Sequence, residues 1–105
     1  MRPHAFVKAC LFALLCCASA RLHADIKLPA LISDNLVLQR DAAVRIWGWA
    51  DPGEAVTVTL ADQRVSTNAD ARGKWLVTLK PMKKGGPHAL VVAGKNTVTV
   101  KNVLI

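Results

Sequence analysis

From residue 43 onward, apolar and polar side chains alternate at a period of two, in short runs separated by turn residues. Residues 43–50 read AVRIWGWA, 56–60 VTVTL, 75–79 WLVTL, 88–93 HALVVA and 97–104 TVTVKNVL. A period of two places successive side chains on opposite faces of an extended strand. Val56, Val58 and Leu60 therefore share one face, and Thr57 and Thr59 the other. Valine and threonine dominate these runs because branched side chains pack well on a pleated surface. After residue 24 no segment keeps apolar residues at helical spacing for three turns, so no helix longer than one turn is expected.

Turn chemistry separates the runs. In Asp51-Pro52-Gly53-Glu54, proline presets φ at the first corner and glycine admits positive φ at the second. Asp70-Ala71-Arg72-Gly73 and 81–87 (PMKKGGP) are further breaks, and Gly94-Lys95-Asn96 is a tight hairpin. Turn signals at this spacing predict an all-β chain of about seven short strands. The expected architecture is an antiparallel, immunoglobulin-like β-sandwich, with a small barrel as the alternative.

The first 24 residues read differently. Residues 1–8 carry Arg2 and Lys8 and no acid, and residues 9–18 (ACLFALLCCA) are an uninterrupted apolar run. Ala18-Ser19-Ala20 and Leu22-His23-Ala24 then offer small-residue exits. That order predicts a secretory signal peptide, residues 1–24, cleaved before Asp25. The apolar run is about half of the roughly 20 residues that span a bilayer, so a stable membrane anchor is not expected. Leu15 and Cys16 are not the small residues that lipid attachment at the Cys16-Cys17 pair would want. Export places the remaining domain, residues 25–105, outside the cell or in the periplasm.

All three cysteines (Cys10, Cys16 and Cys17) lie in that leader. Disulfides and thiolate metal sites are thereby excluded from the remaining 81 residues, whose stability must come from the core. Three of the 14 basic residues also precede residue 25, whereas all seven acids lie from residue 25 onward, which leaves a net charge of +4. The densest basic cluster (Lys80, Lys83 and Lys84) has no interleaved aromatics. Nucleic-acid binding wants a basic stripe with stacking platforms and is not expected here.

A serine esterase needs a nucleophile, a base, an orienting acid and an oxyanion hole. Beyond residue 24 only Ser33, Ser66 and His88 are available, and no Gly-x-Ser-x-Gly elbow is present. Ser33 lies in Ile32-Ser33-Asp34-Asn35, a turn-forming sequence. His88 follows Pro87 and reads as a solvated edge residue. No residue is nominated as catalytic. Residues 68–73 faintly echo a calcium loop, but Arg72 stands at a ligand position and Leu79 where a bidentate glutamate is required. A type I turn accounts for them, and no metal site is assigned.

Trp47 and Trp49, at i and i+2, share a strand face with Arg45, while Val44, Ile46 and Gly48 take the other. The pair fits three roles: one ring plugging the core while the other covers a turn, a docking face for another domain, or a sugar-stacking surface. Gly48 between them would admit close approach of another backbone or ring. Trp75, after Gly73-Lys74, is expected in the core. The apolar end, Val103-Leu104-Ile105, either packs back on the core or carries the strand onward.

Residues 28–54 (LPALISDNLVLQRDAAVRIWGWADPGE) resemble the opening of the sialate O-acetylesterase family, carbohydrate esterases of the SGNH-hydrolase type. Gly73-Lys74-Trp75, Gly85-Gly86-Pro87, Lys95-Asn96 and Asn102-Val103-Leu104 continue the resemblance in order. It implies a β-domain that precedes an SGNH-type catalytic domain expected C-terminal to Ile105, or lost by truncation. The Gly-(Asp/Gln)-Ser block and the Asp-x-x-His pair of such hydrolases are absent, so no catalytic position carries over. The resemblance also implies removal of O-acetyl groups from sialic acid or related sugars by a longer polypeptide, with no metal or organic cofactor. The chain itself is expected to be hydrolytically inert. A standalone module that offers Trp47 and Trp49 to an acetylated glycan is the alternative.

Overall fold

The computed structural model describes residues 25–105; the predicted leader lies outside them. Six strands run in chain order: β1 (Val44–Trp49), β2 (Ala55–Leu60), β3 (Gln63–Asn68), β4 (Lys74–Leu79), β5 (His88–Ala93) and β6 (Thr97–Val103). No helix occurs among the described residues. β1 pairs with β4 in a two-stranded sheet, and β3-β2-β5-β6 form a four-stranded one; every strand pairing is antiparallel. Six strands thus stand where about seven are expected, and five of them coincide with the runs named above.

The sixth, β3, has no apolar row: its sequence QRVSTN is half-buried on one face and exposed on the other. It follows β2 through the two-residue turn Ala61-Asp62, with Leu60 opposite Gln63. Ala61 takes φ 53°, a conformation usually given to glycine or asparagine, so the turn carries no glycine signal.

The inward faces of both sheets share one core. Ile46, Val77 and Leu79 come from the small sheet, and Val56, Val58, Leu60, Leu90, Val92 and Val103 from the large one. Each such side chain contributes about 1.5–3 kcal/mol by leaving water. Trp75 is buried here as expected, at 3% exposure. Its neighbour across the small sheet is Gly48. A Cβ on Gly48 would strike the Lys27 carbonyl oxygen and come within 2.8 Å of the Trp75 ring, so glycine makes room for both.

The segment before β1 wraps the molecule. Lys27 exchanges two backbone hydrogen bonds with Trp49 (2.9 Å each), and Val37 forms a parallel bridge with Leu104. Ile105 exchanges backbone bonds with Gly85 and packs, half-buried, against the core. His88 is a correction to the sequence reading. It is half-buried rather than solvated and stands opposite Val103 of β6, although the pairing of β5 with β2 covers only Val91–Ala93 and does not reach it.

Candidate functional site

Residues 51–54 turn as expected. The Glu54 N–H donates to the Asp51 carbonyl (3.0 Å), with Gly53 at φ 78° on the second corner. The tip of the β5–β6 hairpin then joins this turn. The Glu54 carboxylate accepts from the Asp51 N–H through Oε1 (3.1 Å) and from the Lys95 N–H through Oε2 (2.7 Å). Lys95 Nζ donates to Asp51 Oδ2 at 2.8 Å, and Asn96 Oδ1 accepts from the Ile26 N–H at 2.8 Å. Asp51 and Glu54 are both buried. The Asp51 carboxylate pushes the Lys95 ammonium above its ordinary value. This is a latch between segments about 40 residues apart, with its acids used internally.

A second tie gathers Ser33-Asp34-Asn35 with the end of β6. Asp34 Oδ1 accepts from the Lys101 N–H (2.8 Å), the Asn35 N–H donates to the Lys101 carbonyl (2.9 Å), and Asn102 Nδ2 donates to Asn35 Oδ1 (2.7 Å). Asn35 and Asn102 both adopt positive φ, which asparagine tolerates better than most residues. Ser33 is exposed beside this tie. Ser66, on the exposed face of β3, shares a 2.9 Å hydrogen bond with Thr57. Neither serine is hydrogen-bonded to His88 among the described residues.

The outer face of the small sheet is organised differently. Its cross-strand pairs are Arg45–Thr78, Trp47–Leu76 and Trp49–Lys74. Trp47 is half-buried against the core, Trp49 is 40% exposed and Leu76 51%. The three predicted contact residues (Arg45, Trp47 and Trp49) thus do share one face, with Leu76 completing its apolar strip. Beside it lies an open groove of about 390 Å³ lined by Trp47, Asn68, Asp70, Lys74, Trp75 and Leu76. Arg45 and Trp49 stand on the same face outside the groove.

The polar side of the groove comes from the end of β3 and the turn into β4. Asp70 Oδ1 accepts from the N–H groups of Arg72 (2.8 Å) and Lys74 (2.9 Å), and the Gly73 N–H closes the turn onto the Asp70 carbonyl. The Lys74 and Arg72 N–H groups, helped by the charges of those two side chains, hold the Asp70 carboxyl below the usual carboxylate range. Asn68 Nδ2 donates to the Gly53 carbonyl at 3.2 Å. Sequence reasoning missed Asn68, Lys74 and Leu76 as neighbours of Trp47. The alternation of β4 marks Lys74 and Leu76 as outward-facing, but not which strand lies beside them.

A second groove, of about 510 Å³, opens at the other end of the small sheet and includes Lys80, Lys83, Lys84 and His88 in its wall. Lys83 there lies 3.5 Å from the Asp41 carboxylate. Among the described residues no three metal-ligating side chains cluster.

No protein-family model matches the chain. The curated sialate O-acetylesterase of Pongo abelii is 38% identical over 72 residues, which are 62% of this chain and 14% of that protein. The rat sialate O-acetylesterase is 31% identical over 86 residues, covering 75% of this chain and 16% of its own length. Among solved structures, a carbohydrate acetylesterase from Xanthomonas citri superposes with a TM-score of 0.75 at 40% identity, over 76% of this chain and 19% of that one. The chain therefore spans about one-seventh of the first of these relatives and under one-fifth of the bacterial enzyme. Shared sequence and shared fold place the chain, as a β-domain, in the sialate O-acetylesterase-like family.

Proposed function

We propose that the chain is the N-terminal, non-catalytic β-sandwich module of a sialate O-acetylesterase-like polypeptide, immunoglobulin-like in architecture. The longer form would hydrolyse O-acetyl esters on sialic acid or related sugars in a separate SGNH-type catalytic domain. One observation carries this reading: the acidic and amide residues that mark the family are used up in building the domain. Asp51, Glu54, Lys95 and Asn96 form the latch, and Asp34, Asn35, Lys101 and Asn102 tie the segment before β1 to β6. The relatives' greater length supplies the second support, since this domain corresponds to 14% to 19% of each of two matched proteins.

Exposed apolar area supports an accessory role as well. Arg45, Trp47 and Trp49 form the module's candidate contact face, and a separate apolar pair, Val37 (71% exposed) and Leu104 (43% exposed), lies near Ile105. Fully solvated domains seldom keep such strips without a use for them. The leader, residues 1–24, routes the product to the periplasm or the exterior. N-terminal sequencing of the exported protein should begin at Asp25; a product retaining Met1 inside the cell overturns this part.

The test of the main reading is acetyl-ester turnover. The 105-residue chain, purified and offered p-nitrophenyl acetate and O-acetylated sialic acid, should release no more acetate than a heat-killed control. Turnover above that control overturns the non-catalytic assignment.

A further inference from the structure

Building on the reading of this chain as a module of a sugar esterase, we infer that the groove beside Trp47 is a contact site for one pyranose ring of a glycan. Its volume of about 390 Å³ lies within the roughly 300–1,000 Å³ of small-ligand sites. Trp47 and Leu76 give it an apolar wall, while Asn68, Asp70 and Lys74 give it a polar one. A pyranose has the matching division. Its C–H face packs on an aromatic ring, and its ring hydroxyls each donate and accept at the rim.

The polar groups are complementary in kind and held in place. Asn68 uses one N–H on the Gly53 carbonyl, and its Oδ1 has no partner among the described residues. Asp70 is pinned through Oδ1 by two N–H groups, while its Oδ2 and Lys74 Nζ are without partners among the described residues. The groove thus presents two acceptors and an ammonium donor at its rim. Because Asp70 and Asn68 are already fixed by the backbone, a ligand would spend little entropy in ordering them. Asp70 stays ionised to lower pH than an ordinary aspartate, since its N–H partners favour the charged form. The groove opens at the Lys74 end of β4, away from Lys80 and the Gly85–Ile105 pairing, so contacts made at that other end leave it open. A peptide partner would meet the same apolar strip, but it would not need the three polar side chains of the rim.

The experiment is a titration of the isotope-labelled full chain by NMR, with N-acetylneuraminic acid and N,N′,N″-triacetylchitotriose as probes. At least one saccharide should shift the Trp47 indole N–H and the Asn68 carboxamide saturably, with a Kd in the millimolar range, about −4 kcal/mol. Lys74→Ala and Asn68→Ala remove exposed side chains and should each weaken binding about fivefold. Two results overturn the inference: no shift at these groups with either sugar at about 50 mM, well above that range, or a shift that survives both substitutions unchanged. The readout is binding by this chain, so it is separate from the ester assay. Loss of the groove would leave the non-catalytic reading standing, and ester turnover would remove that reading without touching the groove.

Discussion

The latch around Glu54 and the outer face around Trp47 are both conspicuous in the sequence, and they put their side chains to opposite uses. In the latch the carboxylates are buried and turned on neighbouring N–H groups and an ammonium. On the face, tryptophan, leucine and lysine side chains point outward, and Asp70 Oδ2 and Lys74 Nζ have no partner among the described residues. The contrast separates side chains spent on holding the fold from side chains able to act on something outside the molecule. A family-specific run can serve both uses: Asp51 and Glu54 hold the fold, while Trp47 and Lys74 face a groove that Asn68 and Leu76, outside those motifs, help to line.

Substitutions can break or sharpen that contrast. The largest effect is expected at the latch. Glu54→Ala removes the acceptor that the buried Asp51 N–H and the part-buried Lys95 N–H share, at about 1–3 kcal/mol for each bond lost. A combined loss of about 3 kcal/mol lowers Tm by roughly 12–24 °C in a domain this size, measurable by calorimetry. An unchanged Tm would mean that the latch is ornamental.

Next comes Gly48→Ala, which tests the strand joining the two regions. The new methyl must displace the Lys27 carbonyl or the Trp75 ring, an overpacking cost of about 1–3 kcal/mol in urea denaturation. Chemical-shift changes at Trp75 and Lys27 should accompany it.

Leu76→Ser on the outer face should cost under about 1 kcal/mol, since the side chain is already 51% exposed. A loss as large as that at Glu54 would place the face with the core and erase the contrast.

The smallest effects are electrostatic. The Asp70 carboxyl is held below its unfolded value, so its contribution is present above the usual aspartate range and is lost as pH falls through the folded value. The Lys95 ammonium is held above its unfolded value, so its contribution is present below the usual lysine range and is lost as pH rises through the folded value. Urea midpoints across pH should therefore fall slightly at both extremes. Asp70→Asn should flatten the acid limb and Lys95→Ala the alkaline one.

How legible this was depended on the element. β1, β2, β4, β5 and β6 each carry an apolar row that can be read directly, and Pro52-Gly53 marks its own turn. β3 was not legible, because an edge strand buries little and its hairpin turns on Ala61 rather than on glycine. His88 is less solvated than a residue just after a proline suggests, because Val103 of β6 stands opposite it. Of the contact face, the shared orientation of Arg45, Trp47 and Trp49 could be read from the strand period alone. The polar rim of the groove could not, since Asn68 and Asp70 belong to a different segment.

By itself the sequence determined the class of structure, the face each strand residue takes, most of the turns and the kinship with sugar esterases. The first three are local properties, set by alternation, branching and the φ preferences of proline and glycine; the kinship rests on the resemblance of residues 28–54 and the motifs after them. Only the tertiary structure decided the division of six strands into two and four, the joining of Glu54 to Lys95, and the neighbours of Trp47. Those depend on which distant segments pair. Alternation says which way a side chain points, but not what stands opposite it.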